Sequence, residues 1–405
     1  MKKGSGRRVV ILVLDGFGVG EMPDRPNEDA GANTLRNIDR VEGPLDLPNL
    51  AQLGLGHLSD VRGVPAVKAP TAAFGRCRLD YPGADTFMGH QEIMGGGLEA
   101  VELMLLCEVR DTVWTALQDA GLRCEDIEGA GSPILVEGCV LVHDNVEARA
   151  RLNINLTASL DDISFDRLTE IGYVVRNAVQ VPRVIVVGGR GYGVEEMRQH
   201  LVERDPGQIG VDTPALGVYD EHYEVRHLGV AVDTSRQLPT LAQAAGLDVL
   251  LLGKAADVVQ CAGARSENLI ATEEVLARTI EELARMERGL IVANVQETDL
   301  AGHEQNTARF ARMLAVVDQR LPELIAQLSI EDVLFITGDH GNDPTIGHSQ
   351  HTREFTPAIA YGPAVEPCSL GTRGSLADIG ATAAQWLDLA ATSSGTSFFK
   401  EISCS

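Results

Sequence analysis

Three apolar runs in this chain stop abruptly at acids: Arg8-Val-Val-Ile-Leu-Val-Leu-Asp15, Gly289-Leu-Ile-Val-Ala-Asn-Val-Gln-Glu-Thr-Asp299 and Asp332-Val-Leu-Phe-Ile-Thr-Gly-Asp339-His340. Runs without polar alternation predict strands buried on both faces, as in a parallel sheet covered by helices. Leu247-Asp-Val-Leu-Leu-Leu-Gly253-Lys254 and Thr356-Pro-Ala-Ile-Ala-Tyr361 have the same character. Helical patterns separate them. Residues 47–53 read as a helix with Pro48 in its first turn, and residues 271–288 as a longer one. Asn306 can cap a helix whose apolar face is Phe310, Met313, Leu314, Val317 and Leu321. A last helix is expected over residues 375–389. Strand alternating with helix gives an α/β class with a mainly parallel sheet flanked by helices. In such sheets ligands bind beyond the carboxyl ends of the strands, where these acids fall.

Residues 106–228 change character. Valine-rich runs, Pro133-Ile-Leu-Val and Arg183-Val-Ile-Val-Val, alternate there with acidic helical stretches such as Ser164-Phe-Asp-Arg-Leu-Thr-Glu. The expectation is an α/β domain inserted as a cap, with residues 1–105 and 229–405 forming the core. At 405 residues the chain is long for a single hydrophobic core, which agrees with two domains. Internal repeats and low-complexity segments are not evident.

The composition, 44% apolar, is that of a globular protein. Lys2, Lys3, Arg7 and Arg8 precede an apolar run, but that run carries Asp15 and leads into a glycine-rich loop without a small-residue cleavage site, unlike a secretory signal. No apolar stretch approaches the roughly 20 residues that span a bilayer. The seven cysteines, Cys77, Cys107, Cys124, Cys139, Cys261, Cys368 and Cys404, are odd in number and lack CxxC spacing. A disulfide framework or thiolate zinc site is therefore not expected, and a cytoplasmic enzyme is. A net charge of −24 opposes nucleic acid and anionic membrane as partners. An anionic substrate would need cations in its site, and the clustered carboxylates are what would hold them.

Two further stretches carry candidate chemistry. Asp15-Gly-Phe-Gly-Val-Gly is rich in glycine but departs from a dinucleotide fingerprint. In Gly83-Ala-Asp-Thr-Phe-Met-Gly-His-Gln-Glu-Ile-Met-Gly95, Thr86 precedes helix-like residues. A phosphate on its hydroxyl would meet the unpaired N–H groups and favourable dipole of a helix N-terminus. Singly, an Asp at a strand end is usually a cap and a lone His structural. As a set, Asp15, Thr86, Asp299, His303, Asp339, His340 and His351 offer three carboxylates, three imidazoles and a hydroxyl. Mixed carboxylate and imidazole ligands suit Mn²⁺, Zn²⁺ or Fe²⁺ better than Ca²⁺. Two such ions about 4 Å apart would stabilise attacking and leaving oxygens in phosphoryl transfer. His90, His348, Asp343 and Arg353 are read as groups that orient this set, with His348 a candidate additional ligand.

On these motifs the chain resembles the phosphopentomutases of the alkaline phosphatase superfamily. Further matching motifs are Gly31-Ala-Asn-Thr-Leu35, Asp85-Thr-x-x-Gly-His90, Asp339-His-Gly-Asn-Asp-Pro-Thr345, His351-Thr-Arg-Glu354 and Ala377-Asp-Ile-Gly-Ala-Thr382 with Gly395-Thr-Ser-Phe398. The resemblance covers residues 1–100 and 290–400 and is weak in the insert. It implies an alkaline-phosphatase-like core and two divalent ions, Mn²⁺ first, with Zn²⁺ or Mg²⁺ as alternatives. Asp15, Asp339 and His340 would hold one ion with Thr86, and Asp299, His303 and His351 the other. Thr86 would be the nucleophile of a phosphomutase that cycles through phosphothreonine. The substrate would be a pentose phosphate or similar phosphorylated small molecule, with a bisphosphate as candidate activator. Lys254, Arg183 and Arg190 are the corresponding substrate-facing cations; read alone, Lys254 is equally a surface lysine.

The chain also departs from the family. Met88 and Gln91 stand where the family has Thr and Trp, and three residues separate Asp299 from His303, as in cofactor-independent phosphoglycerate mutases. Leu152-Asn-Ile-Asn-Leu-Thr157 lacks the sugar-contacting carboxylate, and Val187 replaces an arginine, with Arg190 nearby. Competing readings are a phosphoglycerate-mutase-like mutase, a phosphomonoester hydrolase, and an inactive binding protein on this fold. A sulfatase is disfavoured, since its Cys/Ser-x-Pro-x-Arg motif is missing. Oligomeric state is not legible.

Overall fold

The computed structural model describes residues 6–97, 101–147, 149–218, 222–230 and 232–403. Lys2, Lys3 and Cys404 fall outside them. By compactness the chain divides into two units, Met1–Leu98 with Val232–Ser405, and Glu99–Ala231.

The first unit is built on an eight-stranded sheet. Its strands are β1 (Arg8–Leu14), β2 (Ala73–Cys77), β3 (Asp248–Leu252), β4 (Arg265–Glu267), β5 (Gly289–Val295), β6 (Val333–Thr337), β7 (Thr356–Tyr361) and β8 (Ser369–Arg373). The order across the sheet is β4-β3-β5-β1-β6-β7-β2-β8. From β4 to β6 neighbours run parallel, β7 is antiparallel to both its neighbours, and β8 runs parallel to β2. The unbroken apolar runs are explained by position: every residue of β1, β5 and β6 is buried.

Five helices matter for the site: α1 (Thr86–Ile93), α2 (Lys254–Val258), α3 (Glu297–His303), α4 (Thr307–Ile325) and α5 (Ala377–Trp386). Asn306 caps α4 by accepting from Arg309 N at 2.9 Å, and Phe310, Leu314, Val317 and Leu321 are buried along it, with Met313 partly so. Residues 47–53 hold the helix Pro48–Gln52 with proline in its first turn. The expected helix over 375–389 is shorter than its pattern, because the chain leaves α5 at Trp386 and Asp388 turns left-handed at φ 58°.

In the second unit six strands are ordered Glu224–Gly229, Arg183–Gly189, Asn153–Ser159, Val140–Asp144, Ile134–Val136 and Cys124–Asp126. Only the pairing of Asn153–Ser159 with Arg183–Gly189 is parallel, joined through the helix Phe165–Ala178, which Ser164 caps. One face buries Ile154, Leu156, Val184 and Val186, and the other Leu141, Ile185 and Val187.

Candidate metal centre and nucleophile

Sheet register alone brings most of the acids together. On β1, Leu14 is level with Val295 of β5, and Val13 with Thr337 of β6. Asp15 thus leaves its strand between the segments that supply Asp299 and Asp339. Leu252 of β3 is level with Ala293, so Lys254 emerges beside them. Gly253 makes that turn at φ 66°, and a Cβ there would lie 2.4 Å from the Asn294 carbonyl oxygen, so only glycine fits. Loops supply the rest. Thr86 opens α1 behind Asp85, whose side chain caps the helix by accepting from Met88 N at 3.1 Å.

Atoms that could hold a metal ion form two overlapping groups, Asp15 with Asp339 and His340, and Asp299 with His340 and His351, each within 4.8 Å of one another. His303 joins the second group, its Nε2 being 3.4 Å from Asp299 Oδ2 and 3.1 Å from His351 Nε2. All three imidazoles are anchored alike. His340 Nδ1 meets the Gly341 carbonyl at 3.0 Å, His303 Nδ1 that of Ser349 at 2.7 Å, and His351 Nδ1 that of Ala84 at 3.2 Å. A carbonyl accepts only, so Nδ1 carries the proton and each Nε2 turns a lone pair inward, the tautomer that binds metal.

Asp15 Oδ1 and His340 Nε2 are among the buried atoms without a hydrogen-bond partner, and they face each other at 3.6 Å. Two electron-pair donors so placed in a dry pocket fit a cation between them. Electrostatics agree. Burial pushes Asp15 up to about 7, with Asp339 adding to it. Burial of Asp339 is outweighed by its neighbours His340 and His90, and that of Asp299 chiefly by the Lys254 ammonium, so both stay well below the usual carboxylate range. Burial and then His340 push His351 down to about 4, keeping it neutral.

Thr86 is part of this cluster. Its hydroxyl donates to Asp339 Oδ2 at 2.7 Å, and the residue is buried. His90, one turn on, meets the Thr86 carbonyl through Nδ1 at 2.8 Å, and its Nε2 lies 3.1 Å from Asn294 Nδ2. Lys254 Nζ lies 2.9 Å from Asp299 Oδ2 and 3.1 Å from Asp15 Oδ2. Burial opposes its charge, but Asp15 and Asp299 more than offset that and hold it above the usual lysine value. Arg183 and Arg190 belong to the second unit. Arg183 is level with Asn153, and Arg190 pairs with Asp161 at 2.8 Å.

The loop from β6 to β7, which carries His340 and His351, is tied down by buried polar groups. Glu354 Oε1 accepts from the Thr34 and Thr352 hydroxyls, both at 2.7 Å, and Arg353 N donates to Asp29 at 2.8 Å. Asp343 accepts from Asn33 N at 3.0 Å, and Arg353 also donates to the Leu79 and Tyr81 carbonyls. His348 lies 3.2 Å from Asp29, away from the ligand groups. Three orienting residues went unread in the sequence. Asn294 donates to Asp15 Oδ2 at 3.0 Å, Asn342 to Asp299 Oδ1 at 2.8 Å, and the Tyr81 hydroxyl to the Asp339 carbonyl at 2.8 Å. An amide inside the apolar run Gly289–Val295 was the signal for Asn294.

A mainly parallel α/β sheet with buried acids and imidazoles at its carboxyl edge defines a metalloenzyme, and residues 7–391 match the Metalloenzyme superfamily. The phosphopentomutase of Symbiobacterium thermophilum is 34% identical over 98% of this chain and 98% of its own. That of Anaeromyxobacter sp. (strain K) is 32% identical over 98% and 99%. The chain belongs to the phosphopentomutase family of that superfamily. The Leishmania mexicana phosphoglycerate mutase structure shares the fold, with a TM-score of 0.50 at 14% identity, covering 98% of each chain. No helix among the described residues is long and apolar enough to cross a membrane.

Proposed function

We propose that this metal-dependent phosphomutase isomerises a pentose phosphate, or a similar phosphorylated small molecule, through a phosphothreonine at Thr86. One observation carries the reading: the Thr86 hydroxyl opens a helix and donates to a carboxylate of the ligand cluster at 2.7 Å. Asp15, Asp339 and His340, with Thr86, are the proposed ligands of one divalent ion, and Asp299, His303 and His351 of a second, with Mn²⁺ the preferred candidate. When bound, such ions supply Lewis-acid polarisation of phosphoryl oxygens and lower the cost of a threonine alkoxide. Asp339 accepts the hydrogen bond from the Thr86 hydroxyl at 2.7 Å. Its part is to aim the Oγ1 lone pairs. A phosphoryl group on Thr86 would lie by the N-terminus of α1, whose dipole favours an anion. Lys254, and from the inserted unit Arg183 and Arg190, are the proposed substrate-facing cations, and a bisphosphate is the proposed activator. All six cysteines among the described residues are free, which supports a reducing, cytoplasmic setting.

The test is Thr86→Ala assayed with Mn²⁺ against a panel of pentose phosphates and phosphoglycerates, scoring isomerised product, free phosphate and phosphate retained on the protein. The variant should lose turnover by several orders of magnitude and retain no phosphate. Full activity would exclude Thr86 as nucleophile, and release of free phosphate in place of isomer would make the wild type a hydrolase.

A further inference from the structure

Lys254 treats the two ligand groups unequally. On Asp15 it takes Oδ2, the oxygen that Asn294 also holds at 3.0 Å, and leaves Oδ1 without a partner and turned toward His340 Nε2. The donors of that group are therefore set with the lysine in place. On Asp299 the arrangement is different. Asn342 holds Oδ1 at 2.8 Å, and Lys254 holds Oδ2 at 2.9 Å, the same oxygen that lies 3.4 Å from His303 Nε2. The ammonium thus sits on the face of Asp299 that an ion shared with His303 would need. Exposure adds to the asymmetry, since the side chains of Asp15 and His340 are wholly buried while that of His303 is 42% exposed.

Charge gives the driving force. Asp15, Asp299 and Asp339 are fully buried against one nearby ammonium. A cation entering the Asp15 group relieves carboxylate repulsion and meets Asp15 Oδ1 and His340 Nε2 without partners, with Lys254 on the other oxygen of Asp15. A cation entering between Asp299 and His303 must push against a like charge about 3 Å from the shared oxygen.

We propose that the two sites load in order: the Asp15–Asp339–His340 group takes its ion first and tightly, and Lys254 acts as an internal competitor that weakens the Asp299–His303–His351 site until it moves off Asp299. This rests on reading the cluster as a two-ion centre, and it makes Lys254 a residue that sets metal affinity as well as a candidate contact for substrate.

The test is titration of the EDTA-stripped full-length protein with Mn²⁺ in a calorimeter, for wild type, Lys254→Gln and His303→Asn, with circular dichroism and thermal melts to confirm folding. Wild type should bind two ions with clearly separated affinities. Lys254→Gln should tighten the weaker site by about tenfold or more, and the stronger site by much less, from loss of a like charge beside the shared carboxylate. His303→Asn, which leaves Lys254 and the buried group untouched, should weaken only the weaker site. Two ions with the weaker affinity unchanged in Lys254→Gln, or His303→Asn striking the tighter site, would overturn the order of loading while leaving the two-ion centre standing. Fewer than two ions in wild type would overturn both.

Discussion

Gly89 tests how finely Thr86, the proposed nucleophile, is placed. It lies within α1, one turn after Thr86, and a Cβ built on it would stand 2.5 Å from the Asp339 carbonyl oxygen and 2.8 Å from Asp339 Cβ. Ordinary contact begins near 3.4 Å, so Gly89→Ala requires helix and loop to part by about 0.9 Å. That movement falls on the 2.7 Å bond from the Thr86 hydroxyl to Asp339 Oδ2. A misplacement of about 1 Å costs on the order of 100-fold in rate. Stability should change much less. Overpacking costs about 1–3 kcal/mol, and replacing a helical glycine with alanine returns about 1 kcal/mol. The expected result is a folded protein, at most about 2 kcal/mol less stable, with kcat reduced about 100-fold. Steady-state mutase assays beside urea unfolding would measure both. Turnover close to wild type would refute the claim that this contact sets the hydroxyl, as would a loss of activity that only tracks unfolding.

Other consequences are open to the same approach. Arg8 and Asp332 form a buried ion pair at the start of β1, with the guanidinium also donating to the Gln327 carbonyl at 3.0 Å. Asp332→Ala should cost about 3–5 kcal/mol by leaving the arginine charge unpaired, and Arg8→Met with Asp332→Leu should recover much of it. A single-variant loss of about 1 kcal/mol or less, typical of a surface pair, would contradict that account in urea titrations. In the second unit His143 is fully buried and burial pushes it down to about 4. The folded form then binds fewer protons than the unfolded one, so its contribution is present above about 6.5 and is lost as pH falls toward 4, by about 3 kcal/mol in all. His143→Gln should remove that slope, so thermal melts from pH 7 to 4 should fall less steeply than in wild type; equal slopes would refute the assignment. Asp144, raised to about 6 by burial, contributes the opposite slope in both proteins.

The strands and most of the site were legible because the pattern that marks a strand buried on both faces is local. So is the abrupt polar residue at its end. Asp15, Asp299, Asp339 and His340 follow β1, β5 and β6 directly or within a few residues, and Thr86 follows a capping aspartate. Asn342 and Tyr81 were not legible, because their roles are hydrogen bonds to residues 43 and 258 positions away. The helix over 375–389 was overextended because periodicity continues past a left-handed residue that only the backbone reveals.

By itself the sequence determined which residue types could meet a cation or carry a phosphoryl group, and which elements would present them, since burial period and helix capping depend on near neighbours. Only the tertiary structure decided how those side chains are shared. The order β3-β5-β1-β6 sets Lys254, Asp299, Asp15 and Asp339 at one edge, and His340 enters both ligand groups. The lysine's choice of one oxygen on each of two carboxylates follows from register and a glycine turn, which no local pattern encodes.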